Sequence, residues 1–503
     1  MPRSDEFAEV MLDVSAGALP VVAEPTDETP FRILVAGDFS GRGARASAPD
    51  RGRLKPVLID RDNFDEVLAA MGVQLRLGRE GDAGATLRFR ELDDFHPDRI
   101  YQSLDIFREL RAMREALEDA TSGSQAIAEV RAWAGLGGGK ATQQAEPSPA
   151  PESRTEATYS PGLAGGSLLD DILDASEPEA PSREELPRDP LQAFIQNALA
   201  PHLAPREDPQ VPELLARLDE AAGTLLRAIL HGQEFQALEA RWRALFQMIR
   251  RLETGSLLKV YALDLTRAEL VEDLQSGALE ATALHRLLVD EVARDPDHGG
   301  WAVFAGHYGF DQSGRDTGLL RSLGRLARAA GAVFLAEGDL GGGPEAAGDD
   351  GPWGALRRSA EASHLGLALP RYLLRLPYGR KTDEVESIRF EEIPGAPAHG
   401  DYLWGNPALV CATLLGEAFS EDGWQMRPVT ARAYGDMPLH VYEEAGESKL
   451  RPCVELALTP PDAEWALGEG YMPLIWLRGQ DSIRLVRFQS IADPAADLAG
   501  RWG

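Results

Sequence analysis

The 503-residue chain has almost no cysteine, carrying only Cys411 and Cys453. Two thiols cannot build a disulfide framework or a four-cysteine zinc site, so a reducing compartment is expected. No apolar run in the sequence approaches the about 20 residues that span a bilayer, and membrane insertion is not expected. The opening MPRSDEFAEVMLDV carries acids where a secretory signal needs a basic and then an apolar stretch. Positive charge is also scarce: 51 Lys+Arg face 81 Asp+Glu, a formal net charge of −30. That excess repels phosphate backbones and anionic membrane surfaces, which argues against nucleic acid as a partner. The expectation is a soluble, cytoplasmic protein.

Catalytic signatures are missing as well. The nine histidines form no His-Glu-x-x-His pair and no close Cys/His cluster, and His307 and His364 read as loop or core-edge residues. There is no Gly-x-Ser-x-Gly elbow. Gly135-Leu-Gly-Gly-Gly-Lys fails as a phosphate loop, because Ala134 and Ala141 stand where the pattern needs Gly and Ser/Thr. Acidic pairs such as Asp93-Asp94 carry no information in so acidic a chain. The turn Gly37-Asp-Phe-Ser-Gly-Arg could hold an anion on its amides, but a tight structural turn is the better reading. No catalytic, cofactor-binding or metal-ligating residue is assigned, and no cofactor or enzymatic activity is expected.

What is present is 44 % hydrophobic residues over a length suited to two or three domains. Residues 1–136 read as a small α/β unit. Phe31 to Gly37 is a short apolar run ending in a turn. Phe64, Val67, Leu68 and Met71 lie at helical spacing, with Asp62 or Asn63 at the N-cap and Gly72 at the end. Alternation predicts strands near 74–77 and 85–90. Ile100, Leu104, Phe107, Leu110, Met113 and Leu117 form one apolar helical stripe after Pro97.

Residues 137–190 change character. Their Gly-, Pro- and acid-rich runs read as a disordered, solvated linker. One island, Ser167-Leu-Leu-Asp-Asp-Ile-Leu-Asp, predicts a short amphipathic helix over 167–175, with Leu168, Leu169, Ile172 and Leu173 on one face and Ser167 as N-cap. So short a helix is marginal alone and suits a groove on a partner. Residues 191–503 open with helical periodicity from Leu214 to Ile249. Strand-like runs at 257–263, 301–306 and 332–336 then alternate with helices carrying Leu284, Leu287 and Leu288, and Leu319, Leu320, Leu323 and Leu326. This alternation predicts α/β architecture with a largely parallel sheet.

Two sets of motifs are recognisable. Pro30-Phe-Arg-Ile-Leu-Val-Ala-Gly-Asp-Phe-Ser-Gly-Arg, Ile59-Asp-Arg-Asp-Asn-Phe-Asp-Glu-Val and Leu87-Arg-Phe-Arg-Glu-Leu-Asp-Asp-Phe-His-Pro-Asp resemble the small subunit (TssB, or VipA) of the type VI secretion contractile sheath. Phe235-Gln-Ala-Leu-Glu-Ala-Arg-Trp-Arg, Trp353 to Ser359, Leu367-Ala-Leu-Pro-Arg-Tyr-Leu-Leu-Arg-Leu-Pro-Tyr-Gly, Tyr402-Leu-Trp-Gly-Asn-Pro-Ala and Gly470-Tyr-Met-Pro-Leu-Ile resemble the large subunit (TssC, or VipB). The resemblance implies a natural fusion of both subunits, their mixed α/β domains packed together and tied by the linker. It further implies a helical sheath, with other sheath protomers, an Hcp-like inner tube, baseplate components and a ClpV-like AAA+ unfoldase as partners. The unfoldase would dock on Leu168, Leu169, Ile172 and Leu173. The large-subunit match ends near Ile491-Ala-Asp-Pro-Ala, short of the family's usual C-terminal extension with its donated strand. A non-polymerising adaptor or terminator at the sheath or baseplate end is therefore the alternative expectation.

Overall fold

A computed structural model describes residues 24–45, 54–77, 85–118, 211–294, 299–339, 351–428 and 431–502. Residues 137–190, expected as a linker, with the helix expected over 167–175, and the Gly135 stretch lie outside the described residues.

The main sheet is built from apolar runs. β1 (Phe31–Gly37) is buried on both faces, as expected of a central strand in a parallel sheet. Its side chains alternate between two cores: Phe31, Ile33 and Val35 enter one, while Leu34 and Ala36 enter the other. β2 (Val57–Ile59), β5 (Leu258–Asp264), β6 (Trp301–Phe310), β7 (Val333–Gly338), β8 (Leu365–Leu369), β11 (Arg432–Tyr434), β14 (Tyr471–Trp476) and β15 (Ile483–Leu485) complete a nine-stranded sheet. Its order is β11-β15-β14-β8-β7-β6-β1-β5-β2. The six strands from β14 to β5 run parallel, and β2, β15 and β11 are antiparallel to their neighbours. β3 (Gln74–Leu77) and β4 (Ala85–Arg88), the strands their alternation predicts, form a separate antiparallel pair. β9 (Tyr372–Leu373) with β10 (Trp404–Gly405), and β12 (His440–Glu444) with β13 (Glu447–Arg451), form two further antiparallel pairs. The architecture is the mixed α/β type expected.

Helices cover both faces. α1 (Phe64–Ala70) is placed as its spacing predicts, although Asn63 makes no side-chain cap. Gly72 follows at φ +63°, a conformation glycine adopts without Cβ strain. The stripe from Ile100 to Leu117 is not one helix. It divides into α2 (Pro97–Ser103), a 3₁₀ turn over Asp105–Phe107 and α3 (Arg108–Glu118), because Leu104 is extended at φ −84°, ψ 131°. The break keeps Leu104 buried while Arg111 donates to the carbonyls of Tyr101 and Leu104 that the missing helical amides leave open. α4 (Val211–Leu230) and α5 (Gln233–Arg251) are separated at Gly232. α5 and α9 (Pro407–Asp422) pack in the core holding Ile33 and Val35; α6 (Arg267–Gln275) and α7 (Gly314–Ala330) pack in the opposite one. α8 (Pro352–Arg357) and α10 (Pro460–Gly468) are short connections.

Candidate functional site at the seam of the two segments

The residues that carry the two sets of motifs meet in one sheet. β1 belongs to the first segment, and both of its hydrogen-bonding edges are taken by the third: Phe31 to Gly37 pair with Leu258 to Asp264, and Ile33 to Ala36 pair with Val303 to Gly306. β2 then covers the outer edge of β5. A strand so placed cannot leave without exposing the backbone groups of two neighbours, and each buried unpaired group costs about 1–3 kcal/mol.

Aromatic side chains lock the seam on one face. Phe31 stacks on Phe419 at 4.7 Å between ring centroids and lies against Trp424 at 5.4 Å. Trp424 Nε1 donates to the Thr29 carbonyl at 2.7 Å, and Trp242 Nε1 donates to the Phe39 carbonyl at 2.9 Å. Phe64 meets Trp242 edge-on at 5.7 Å. Phe89 and Phe95 stack at 4.0 Å, with Phe95 edge-on to Phe235. Indole N–H groups buried with a carbonyl partner satisfy both the apolar and the polar parts of the side chain.

Charged groups cross the same boundary. Arg42 forks onto Glu269 (Nε–Oε1 2.9 Å, Nη2–Oε2 2.6 Å) and also pairs with the Asp264 carboxylate. Burial works against the Arg42 charge, but Glu269 and Asp264 hold it above its ordinary pKa. Burial pushes the Asp264 carboxyl up despite Arg42, whereas at Glu269 burial is outweighed by the hydrogen bonds from Arg42 and Thr266 together with the Arg42 charge, and the carboxyl is pulled down. Two carboxylates share one guanidinium, and its two-pronged fork goes to Glu269. Asp98 accepts from the amides of Glu386 and Ser387 at 2.9 and 2.8 Å, and Arg114 pairs with Asp219.

Beneath the seam lies a buried ion network. Arg375 bridges Glu239 (2.8 Å) and Glu392 (2.7 Å), while Arg243 donates to Glu239 at 2.6 Å and to the Tyr378 hydroxyl at 2.7 Å. Burial disfavours the Glu392 anion, yet Arg375 and its other donors hold it down at about 2. His96 of the first segment packs edge-on to Tyr378 at 4.8 Å and so caps the network.

The turn after β1 has a structural occupant. The Asp38 carboxylate accepts from the amides of Arg42 and Gly43, and Ser40 N donates to Asp264. His307 is in strand β6 rather than a loop, and His364 Nδ1 lies 2.9 Å from the Ala332 carbonyl. Cys411 and Cys453 are buried free thiols, and burial pushes both up, Cys453 to about 12. Among the described residues there is no group of three or more His, Cys, Asp or Glu suited to a metal ion, and no helix long and apolar enough to cross a membrane. Leu168, Leu169, Ile172 and Leu173 lie outside the described residues. The seam itself was not foreseen residue by residue. Its signal was Phe31 to Gly37, too apolar on both faces for an edge strand.

Comparison with known proteins matches the two segments to two different families. Residues 21–132 match the VipA family of the type VI secretion system. Residues 212–340 and 348–492, over half the chain, match the tail sheath N-terminal domain of the VipB (EvpB) family. The type VI secretion system sheath protein TssC1 of Pseudomonas aeruginosa is 28% identical over 312 residues, which is 57% of this chain and 62% of the relative. The chain thus spans less than two thirds of that relative's length.

Proposed function

The chain belongs to the type VI secretion contractile-sheath family, uniting its VipA and VipB parts, and from that premise we propose that it is a structural sheath subunit that folds as a ready-made protomer. The observation that carries this reading is β1, a VipA-part strand hydrogen-bonded on both sides by strands of the VipB part. The two parts share a sheet and a core, so one chain delivers both in fixed one-to-one ratio. The work of such a subunit is mechanical, a switch between packings of identical protomers, and its setting is the cytoplasm. Its partners would be other protomers, an Hcp-like inner tube, baseplate components and a ClpV-like unfoldase. The domain limits that fit this are 1–136, a 137–190 linker with the 167–175 helix, and 191–503.

Polymerisation needs contacts that do not close on themselves. β2 ends the sheet with Val57 and Leu58 37% and 43% exposed, an open edge of the kind that accepts another strand. Electron microscopy of the purified full chain tests the reading directly. Tubes with a helical repeat are expected; discrete particles at every concentration would instead favour an adaptor. For the unfoldase, Leu169→Asp or Ile172→Asp is expected to abolish binding of the ClpV N-terminal domain in a titration, and unchanged affinity would remove that docking role.

A further inference from the structure

Where β1, β5 and β6 end, the chain turns in opposite directions. The segment leaving β1 goes to the face covered by α5, with Phe39 in that core, while those leaving β5 and β6 lead to α6 and α7 on the other face. Neighbouring parallel strands whose continuations diverge in this way leave a crevice at their carboxyl ends, the place where open α/β sheets bind ligands. Such a crevice is present here, with a volume of about 550 Å³. That is within the size range of small-molecule pockets.

Its wall contains an unusual guanidinium. Arg241 on α5 reaches under the β1 turn and donates to the Asp38 carbonyl at 3.2 Å, its one hydrogen bond among the described residues. It has no ion pair there, and its Nε is buried without a partner. By contrast, Arg42, Arg243 and Arg375 each hold carboxylates. A buried guanidinium with an unpartnered Nε and no direct ion pair among the described residues is incompletely served, which leaves room for an anion. Asp38 and Asp264 favour the Arg241 charge only through space, and the Asp38 carboxylate oxygens accept from the amides of Arg42 and Gly43. Next to Arg241, His307 Nε2 is likewise buried and unpartnered, and the same crevice is lined by Arg267 and Ala268 at the N-terminus of α6. The capping box of that nine-residue helix takes the amides of Thr266 and Glu269, which leaves those of Arg267 and Ala268 for a negatively charged partner.

We propose that this crevice binds an oxyanion of the phosphate class, held between the Arg241 guanidinium and the N-terminal amides of α6. Phosphate alone fills a small part of 550 Å³, and Glu234, two turns before Arg241 on α5, can accept hydrogen bonds from hydroxyl groups attached to it. Bound there, the anion ties the β1 turn of the VipA part to α5 and α6 of the VipB part. The site stands apart from polymerisation and does not depend on it.

Calorimetric titration of the full chain with inorganic phosphate, and separately with ribose 5-phosphate, at constant ionic strength tests this. Saturable one-to-one binding is expected, with a rise in unfolding temperature that follows occupancy. Equal affinity for both compounds assigns the free ion, and tighter binding of ribose 5-phosphate assigns a phosphorylated metabolite. Arg241→Met should weaken binding at least about tenfold by removing the charge-assisted contact. Ala237→Phe, which fills the crevice and leaves Arg241 in place, should weaken it similarly, so a folding defect in one variant does not decide the matter. Arg250→Met, outside the crevice, should bind as wild type does. No saturable binding of either compound, or binding unchanged in Arg241→Met and Ala237→Phe, would overturn the proposal.

Discussion

At the scale of single residues, two buried groups titrate in one pH window with opposite effects on stability. Burial, reinforced by Arg241, holds His307 at about 3 against an ordinary 6.5. The unfolded chain therefore takes up a proton there below 6.5 and the folded chain does not, so this group lowers stability as pH falls from 6.5 toward 3. Glu337 behaves in reverse. Burial raises it to about 7 from an ordinary 4.5, Arg371 opposing and Glu455 and Asp339 adding to the rise. The folded chain binds that proton first, so Glu337 raises stability as pH falls from 7 to 4.5. Each contributes a slope of at most about 1.4 kcal/mol per pH unit. Urea unfolding in phosphate-free buffer between about pH 7.5 and pH 5 separates them. His307→Gln should lose less stability than wild type on acidification and Glu337→Gln should lose more. Parallel curves for all three would refute the assignment.

At the scale of elements, helix α5 organises the seam. It contributes Phe235, Trp242, Phe246 and Glu239, and its C-terminal carbonyls are closed by a residue from the other segment. Arg61 donates to the carbonyls of Ile249 (3.3 Å), Arg250 (2.5 Å) and Leu252 (3.4 Å). A cation there meets both the open carbonyls and the negative end of the helix dipole. Arg61→Ala is expected to cost about 1–2 kcal/mol, read as a lower urea midpoint with unchanged m-value. The elements themselves were largely legible. Phe31 to Gly37 and the runs beginning at Leu257, Trp301 and Ala332 are apolar enough to identify buried strands, and the alternation at 74–77 and 85–90 identified two more strands, though not their pairing. What was hidden depends on distant partners. The order β5-β1-β6 is set by pairings more than 200 residues apart, and no local period encodes it. The break at Leu104 was masked because its side chain stays buried and so keeps the helical spacing intact. The burial of Arg241, Glu239, Glu392 and Arg375 has no local signal in the sequence, because burial is a property of the packed sheet and not of their neighbours along the chain.

At the scale of the whole molecule, the connection between the segments and the seam they share are separate sources of cohesion, and they can be tested separately. A tether raises the effective concentration of one part for the other to the millimolar range for a short flexible linker, and less for a longer one. It adds no contact. The seam adds a central strand paired on both edges, the Trp424 and Trp242 hydrogen bonds and the Arg42 fork, features that resemble a domain core more than a docking surface. If the seam dominates, the covalent link governs how the protomer forms and has little part in keeping it together. A protease site placed between residues 137 and 165 and cleaved after folding should then leave both fragments co-eluting on size exclusion at nanomolar concentration. Val35→Pro supplies the contrast. It removes an amide from a strand hydrogen-bonded on both sides, at a position where proline is not tolerated. In the same cleavage experiment its fragments should separate or aggregate. Separation of the wild-type fragments at micromolar concentration would show that the tether, and not the shared sheet, holds the protomer together.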